Sequence, residues 1–300
     1  MSAAVVVCTL GRPDELRACL KSIGAQQLLP ALVVVVDAST PEVFAINAAS
    51  VAQLQTTLAT TEIRHVAASA GLTSQRNRGC AEVRRSPNIS WIQFVDDDVE
   101  LSTGYLGAIG EVLDHAPKVV GIEGRDVGMT ATPRPVMRRL YPRLSAVSLL
   151  SRTGHNWFSE SQTARGVDWL SGCAAAYRIG VVKALQFDMR RVAGGHGEDV
   201  DFSYRATALG TLWYDPAITY HHRPTLRNRA SGAKLARQVA AHRRLLSTDF
   251  PAIFPPRSVT RGLLIEGTWA VVAAALRRDA QRLAYGSAMF SAGFRSLAAR

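Results

Sequence analysis

Cysteine is scarce and scattered. Cys8, Cys19, Cys80 and Cys173 are the four in 300 residues, and none stands in a CxxC spacing. That argues against a zinc ribbon or a disulfide scaffold and implies buried free thiols in a reducing compartment. No apolar run reaches the roughly 18 residues of a membrane span. The longest, Leu263 to Leu276, carries Glu266 and stops at Arg277. The opening stretch, MSAAVVVCTLGRPDEL, has no basic n-region, so no secretory signal is expected. Acid is scarce in one place in particular. Residues 223–300 hold 14 Lys and Arg against 3 Asp and Glu, whereas residues 1–222 hold 21 of each. The whole net charge of +11 therefore sits in the last quarter of the chain. A neutral body with a basic tail suggests an anionic partner: a membrane surface, a nucleic acid or an acidic protein. The tail lacks the aromatic interleaving that reads single-stranded bases, so no nucleic acid is expected.

What is present is a hydrophobic content of 47%, enough for a sizeable core, arranged in alternation. Short Val/Ile-rich runs at Ala3–Leu10, Leu32–Ser39, Glu62–Val66, Trp91–Val95 and Lys118–Gly124 predict buried strands. Between them, Pro13 onward, Pro41–Leu58, Thr73–Arg84 and Thr103–His115 predict helices. Pro13 stands where a helix starts, with acids in its first turn. Continuous apolar strands alternating with helices predict an α/β fold with a parallel, doubly wound, Rossmann-like sheet. The pattern fades from Arg125 to Gly166, a loop-rich insertion with Pro133, Pro135 and Pro142. A helix is expected near Gly197–Leu209, then two short strands, TLWYD and ITYHH. From Ala230 onward the pattern is helical, with a break at Pro251, Pro255 and Pro256.

Four stretches carry chemistry. In WIQFVDDDVE, three carboxylates follow a buried strand, and like charges so close need water or a cation between them. A solvated turn is one reading. The other is a divalent-metal site at the carboxyl edge of the sheet, with Asp96 and Asp98 turned to a common point. Asp37 ends another strand at that edge, where an Asp is often only a turn or cap. In GLTSQRNRGCAE, Arg76 and Arg78 fall in the first turns of a helix, either a phosphate cradle or an exposed basic face. In GGHGEDVDFSYRATALG, Glu198 and Asp199 open a helix behind a Gly194–Gly195 hinge, either as dipole compensation or as a rigidly held base. In YHHRP, His221 and His222 are surface residues or metal ligands.

Taken in order, VCTLGRP, VVDAS, GLTSQRNRG, FVDDDVE, WLSGCAAAYR, GEDVDFSYRATALG and HHRP resemble the family 2 glycosyltransferases, over about residues 3–224. The resemblance implies a GT-A fold and a metal-dependent, inverting enzyme. It would move a sugar from a nucleotide-diphosphate sugar to a hydroxyl acceptor. It implies nucleotide contacts at Thr9, Arg12, Asp37, Arg76, Asp96 and Asp97. Mn²⁺ or Mg²⁺ would lie at Asp98, supported by Asp96 and His222. Asp199 would be the base, with Glu198 orienting it. Gly172 and Cys173 would face the donor sugar and Trp169 the acceptor side. The Arg125–Gly166 insertion matches no part of the pattern. The expected layout is a catalytic domain over 1–224, divided at 124/125 into a nucleotide-binding half and an acceptor half. A basic helical extension follows over 225–300.

Family habit extends the expectation to bacterial polysaccharide, glycolipid or cell-surface glycan synthesis, with a glycan or lipid-linked acceptor. The location implied is the cytoplasm or the inner face of the membrane, where residues 258–300 would meet an anionic surface. Three rivals are weighed against this. A catalytically silent sugar- or nucleotide-binding relative conflicts with the intact acids. A nucleotidyltransferase should carry a Gly-rich basic loop after the first strand, and TLGRPDE has one Gly. A nucleic-acid-binding protein would act through the basic tail.

Overall fold

The structure is a computed structural model, and it describes residues 1–129, 149–157, 161–191, 196–224 and 230–298. Parts of the Arg125–Gly166 insertion and the Gly194–Gly195 hinge lie outside the described residues. The described residues fall into two compact units. One lies within 1–148 and 158–225, the other within 149–157 and 226–300.

The first unit is built on the valine runs. β1 (Ala3–Thr9), β2 (Leu32–Asp37), β3 (Glu62–Ala67) and β4 (Trp91–Asp96) pair in parallel in the order β3-β2-β1-β4. Side chains alternate across a strand, so β1 feeds two cores. Val5 and Val7 join a cluster with Leu16, Leu20 and Ile23 of α1 (Pro13–Gly24) and Leu54 of α2 (Pro41–Thr57). Val6 and Cys8 join the opposite cluster with Cys80 and Val83 of α3 (Leu72–Arg84). Strands buried on both faces are why the sequence shows unbroken valine rather than alternation. All four cysteines are free and buried.

Beyond β4 the mostly parallel sheet takes in antiparallel strands. β5 (Val99–Leu101) follows the aspartates at once, and α4 (Tyr105–His115) leads to β6 (Val119–Asp126). β10 (Ala175–Arg178) lies antiparallel between β4 and β6. β9 (Arg165–Val167) pairs antiparallel with β11 (Thr211–His222). The runs TLWYD and ITYHH are a single strand, β11, which is parallel to β6 with an irregularity between Tyr214 and Thr219. Asp215 and Pro216 fall in that irregularity, where the ladder needs no donor from proline. The order is β3-β2-β1-β4-β10-β6-β11-β5, a mixed, mostly parallel sheet with helices on its faces. α5 (Ile179–Ala184) and α6 (Glu198–Ala206) complete this unit.

The second unit joins α7 (Gly232–Asp249), α8 (Pro256–Arg277) and α9 (Ala280–Ala298) to a short strand pair, β7 (Leu149–Leu150) and β8 (Asn156–Trp157). The pair is tied in by charge. Arg243 donates to Glu266 at 2.6 Å, and His155 Nδ1 lies 2.7 Å from Arg243 and 3.2 Å from Glu266. Tyr285 donates to the other oxygen of Glu266 at 2.6 Å. The apolar run expected to be too short belongs to a 22-residue helix. By length and composition alone, α8 is long and apolar enough to cross a membrane.

Candidate functional site

The carboxyl edge of the sheet gathers the charged motifs, because parallel strands end together. Thr9 and Asp37 end β1 and β2 opposite one another, and Asp96 ends β4 opposite Cys8. The three adjacent aspartates occupy the tight turn between β4 and β5, and each has a different partner. Asp96 accepts from Arg76 at 3.1 Å. Asp97 accepts from Thr9 Oγ1 at 2.7 Å and from Arg12 at 2.9 Å. Asp98 accepts from Arg12 at 3.0 Å through Oδ2, and its Oδ1 lies 3.1 Å from His222 Nε2. Arg12 therefore bridges two of the three, and β11 brings His222 to the third.

Arg76 is the hub of the second half of the site. It is buried in the first turns of α3, above the ring of Phe187, with 5.6 Å from guanidinium to centroid. It donates to Glu198 at 2.7 Å, to Asp96 at 3.1 Å and to the carbonyl of Gly172 at 2.8 Å. A Cβ at Gly172 would stand 2.6 Å from the guanidinium, so the approach depends on glycine. The amide of Gly172 donates to Asp199 Oδ2 at 3.0 Å, and the other Asp199 oxygen accepts from Val200 N at 2.8 Å. One residue thus links Asp199 to Arg76, and Arg76 links onward to Asp96. Arg78, by contrast, is half exposed and pairs with Glu82 on its own helix.

Negative charge exceeds positive here, and the acids respond. Burial raises Asp97 to about 7, with Asp96 and Asp98 adding to the rise and Arg12 and Thr9 opposing it. Burial and then Asp199 raise Glu198 to about 8, against the pull of Arg76. Burial also raises Asp96, with Arg76 opposing. Glu198 Oε2 is buried and accepts no hydrogen bond among the described residues. A divalent cation would relieve this crowding, and the donor set suits one. Asp96 and Asp98 offer hard oxygens and His222 an imidazole nitrogen. The 3.1 Å between Asp98 Oδ1 and His222 Nε2 is close to the separation of about 3 Å between neighbouring ligands of an octahedral ion.

Asp37 stands somewhat apart and is only 1% exposed. Its carboxylate accepts from Ser39 N at 2.9 Å and Asn47 at 2.7 Å and lies 3.0 Å from His65 Nε2. Burial would raise it, but His65, Ser39 and Asn47 outweigh burial and hold it at about 2. His65 is stacked on Phe44, ring centroids 4.0 Å apart.

Several residues of the site were not foreseen. Glu123 of β6 is fully buried, accepting from Ser171 N at 2.7 Å and Tyr220 OH at 3.0 Å, and burial raises it to about 8. Its signal was a lone acid inside a run, VVGIEG, that otherwise reads as a buried strand. Asp126 accepts from His222 N at 3.0 Å and fixes that end of β11. Of the residues the sequence did single out, Cys173 and Trp169 are both buried, and Cys173 Sγ lies 3.1 Å from Ser171 Oγ. Asp201, third acid of the Glu-Asp motif, is spent on Arg191 at 3.1 Å and Arg205 at 2.7 Å.

The fold and this site define an α/β sheet with an acid-rich carboxyl edge. The sequence profile of the family described as glycosyltransferase like family 2 matches residues 2–241, and the chain belongs to that family; it is a glycosyltransferase. Solved structures agree on the fold, which is GT-A. Staphylococcus aureus TarS 1–349 in complex with UDP superposes with a TM-score of 0.56 at 17% identity, over 91% of this chain and 74% of that one. TarS 1–349 in complex with UDP-GlcNAc gives 0.57 at 16% identity, over 91% and 75%. A longer TarS structure gives 0.54 at 16% identity, over 97% of this chain and 55% of that one. No curated protein sequence matches the chain.

Proposed function

We propose that this glycosyltransferase moves a sugar from a nucleotide-diphosphate donor to a hydroxyl acceptor with inversion at the anomeric carbon. The observation that carries the reading is the Gly172 bridge, which ties Asp199 to the buried Arg76. In the step proposed, Asp199 takes the acceptor hydroxyl's proton as its oxygen attacks the anomeric carbon. The bond from that carbon to the diphosphate breaks, and its electron pair leaves with the diphosphate oxygen. Arg76 stands where that charge develops. Glu198, held by Arg76, orients the site. Asp98, Asp96 and His222 would hold Mn²⁺ or Mg²⁺, which supplies charge neutralisation at the diphosphate. Thr9, Arg12 and Asp97 form the nucleotide side. Asp37, whose own oxygens are taken, would serve the base by fixing His65 and Ser39. Gly172 and Cys173 line the donor-sugar side and Trp169 the acceptor side. The acceptor class assigned is a glycan or lipid-linked glycan. The product would be a polysaccharide, glycolipid or cell-surface glycan, assembled in the cytoplasm or at the anionic inner face of the membrane. The domain layout proposed remains 1–224 catalytic and 225–300 helical extension, except that residues 149–157 belong with the extension.

Because TarS structures hold UDP and UDP-GlcNAc, UDP is the first nucleotide to test, with GDP, dTDP and CDP beside it. Calorimetry with and without Mn²⁺ should show metal-dependent binding of one nucleotide, lost in Asp98→Ala. In donor-turnover assays Asp199→Asn should keep that binding and lose about 10²–10⁴-fold in rate. Turnover at the wild-type rate by Asp199→Asn would remove Asp199 from the role of base.

A further inference from the structure

α8 and α9 meet along a glycine seam. A Cβ at Gly267 would stand 2.7 Å from Phe290 N and 2.9 Å from Gly286 O. A Cβ at Gly286 would meet Gly267 O at 2.8 Å, and one at Gly293 would meet Leu264 at 2.6 Å. Positions rising along α8 therefore meet positions falling along α9, so the two run antiparallel. Each residue turns about 100° around its helix, which sorts the rest by flank. Ile265, Trp269, Val272 and Leu276 lie on one flank of α8. Leu283, Phe290 and Phe294 lie on the flank of α9 that an antiparallel pair turns to the same side. All seven are exposed, Trp269 by 69%, Leu276 by 82% and Phe294 by 52%. The other exposed residues of that face are Thr268, Ala275, Ala284, Ser287 and Ser291. Over about 17 Å of α8, from Ile265 to Leu276, the face carries no charge.

Charge begins where the apolar face stops, and it has one sign. Arg257, Arg261 and Arg295 stand at one end and Arg277, Arg278 and Arg282 at the other. Of the two acids in α8, α9 and their connection, Glu266 is engaged by Arg243 and Tyr285, and Asp279 Oδ1 caps α9 by accepting from Arg282 N at 2.9 Å. An uncharged apolar band closed at both ends by arginine matches the acyl boundary and the phosphates of an anionic bilayer.

We propose that this α8/α9 face docks flat on an anionic bilayer, and that α8 lies in the interface rather than crossing it. The proposal names the surface through which the membrane partner assigned above is met. Crossing is disfavoured by Glu266, in mid-helix, whose ion pair with the buried Arg243 would have to be carried into hydrocarbon. The seam and that ion pair also hold α8 within its own helical unit.

The test is flotation of the full-length protein with phosphatidylcholine vesicles, with and without phosphatidylglycerol, and with no donor or acceptor present. Wild type should float with the anionic vesicles and be released by salt. Trp269→Glu with Phe294→Glu should cut partition on the order of 100-fold, with an unchanged thermal midpoint because both side chains are exposed. Arg277→Gln with Arg278→Gln should weaken binding and its salt dependence. Without any charge substitution, wild-type fluorescence minus that of Trp269→Phe should shift to the blue on binding and be quenched by shallow brominated lipids. Equal flotation with and without anionic lipid would overturn the proposal. So would equal flotation of wild type and the Glu variant, or quenching deepest at the bilayer centre. A concentration-dependent dimer lost in the Glu variant would assign the face to a second copy of the chain. Nucleotide binding is read separately, so failure here leaves the transfer reaction standing.

Discussion

Glu123 shows what single residues do for this site. It anchors Ser171, the neighbour of the glycine that ties Asp199 to Arg76, and it does so fully buried. Its pKa rises from 4.5 to about 8, chiefly through burial. The unfolded chain gives up this proton near 4.5, while the folded protein keeps it to about 8. The stability it supports is therefore complete below pH 4.5 and is lost as pH climbs through 8. Glu123→Gln mimics the protonated form and should flatten that loss. Unfolding free energies from urea titrations at pH 5 and pH 8 should differ less in the variant, by on the order of a few kcal/mol. Equal differences in the two proteins would mean that Glu123 is ionised in the fold.

At the scale of elements, backbone spacing decides which glycines tolerate a methyl group. A Cβ at Gly124 of β6 would collide with the backbone carbonyl of Ile218, on the irregular part of β11. Gly180, in α5, has open space around it. Gly124→Ala should destabilise by about 1–3 kcal/mol through forced backbone shifts, while Gly180→Ala should stabilise by up to about 1 kcal/mol through helix propensity. Thermal melts of the two give opposite signs if the spacing is right. Elements were also where the sequence was most and least readable. Valine runs gave away β1 and β2, and the apolar run WIQFV gave away β4, because strands covered on both faces hold mostly apolar side chains. β5 and β9 are three residues each, too short for any period to register, and the antiparallel insertion of β10 is a long-range choice that no local pattern records. The charged motifs were legible as a group, since strand ends of a parallel sheet must converge. Glu123 and His65 were not, because one acid or one histidine in a strand carries no spacing to read.

On the scale of the whole molecule, the short strand pair of residues 149–157 belongs with helices that begin more than 70 residues later. His155, Arg243 and Glu266 hold it there. A chain truncated after residue 225 should leave that segment without its charged partners. Limited proteolysis should then cut within 149–157 in the truncated chain and spare it in the full one; equal cleavage would mean that the segment is held by something else. The position of β10 has a consequence for how the protein is made. If β1 to β4 pair during synthesis, they leave a four-stranded parallel sheet whose β4 edge stays unpaired until Ala175–Arg178 emerge. For about 80 residues of elongation the nascent chain carries an open, buried-type edge of Trp91, Ile92 and Phe94, and at about 5–20 residues per second that lasts several seconds or more. Chaperone dependence and sensitivity to translational pausing should therefore concentrate between β4 and β10, well before the basic helices exist.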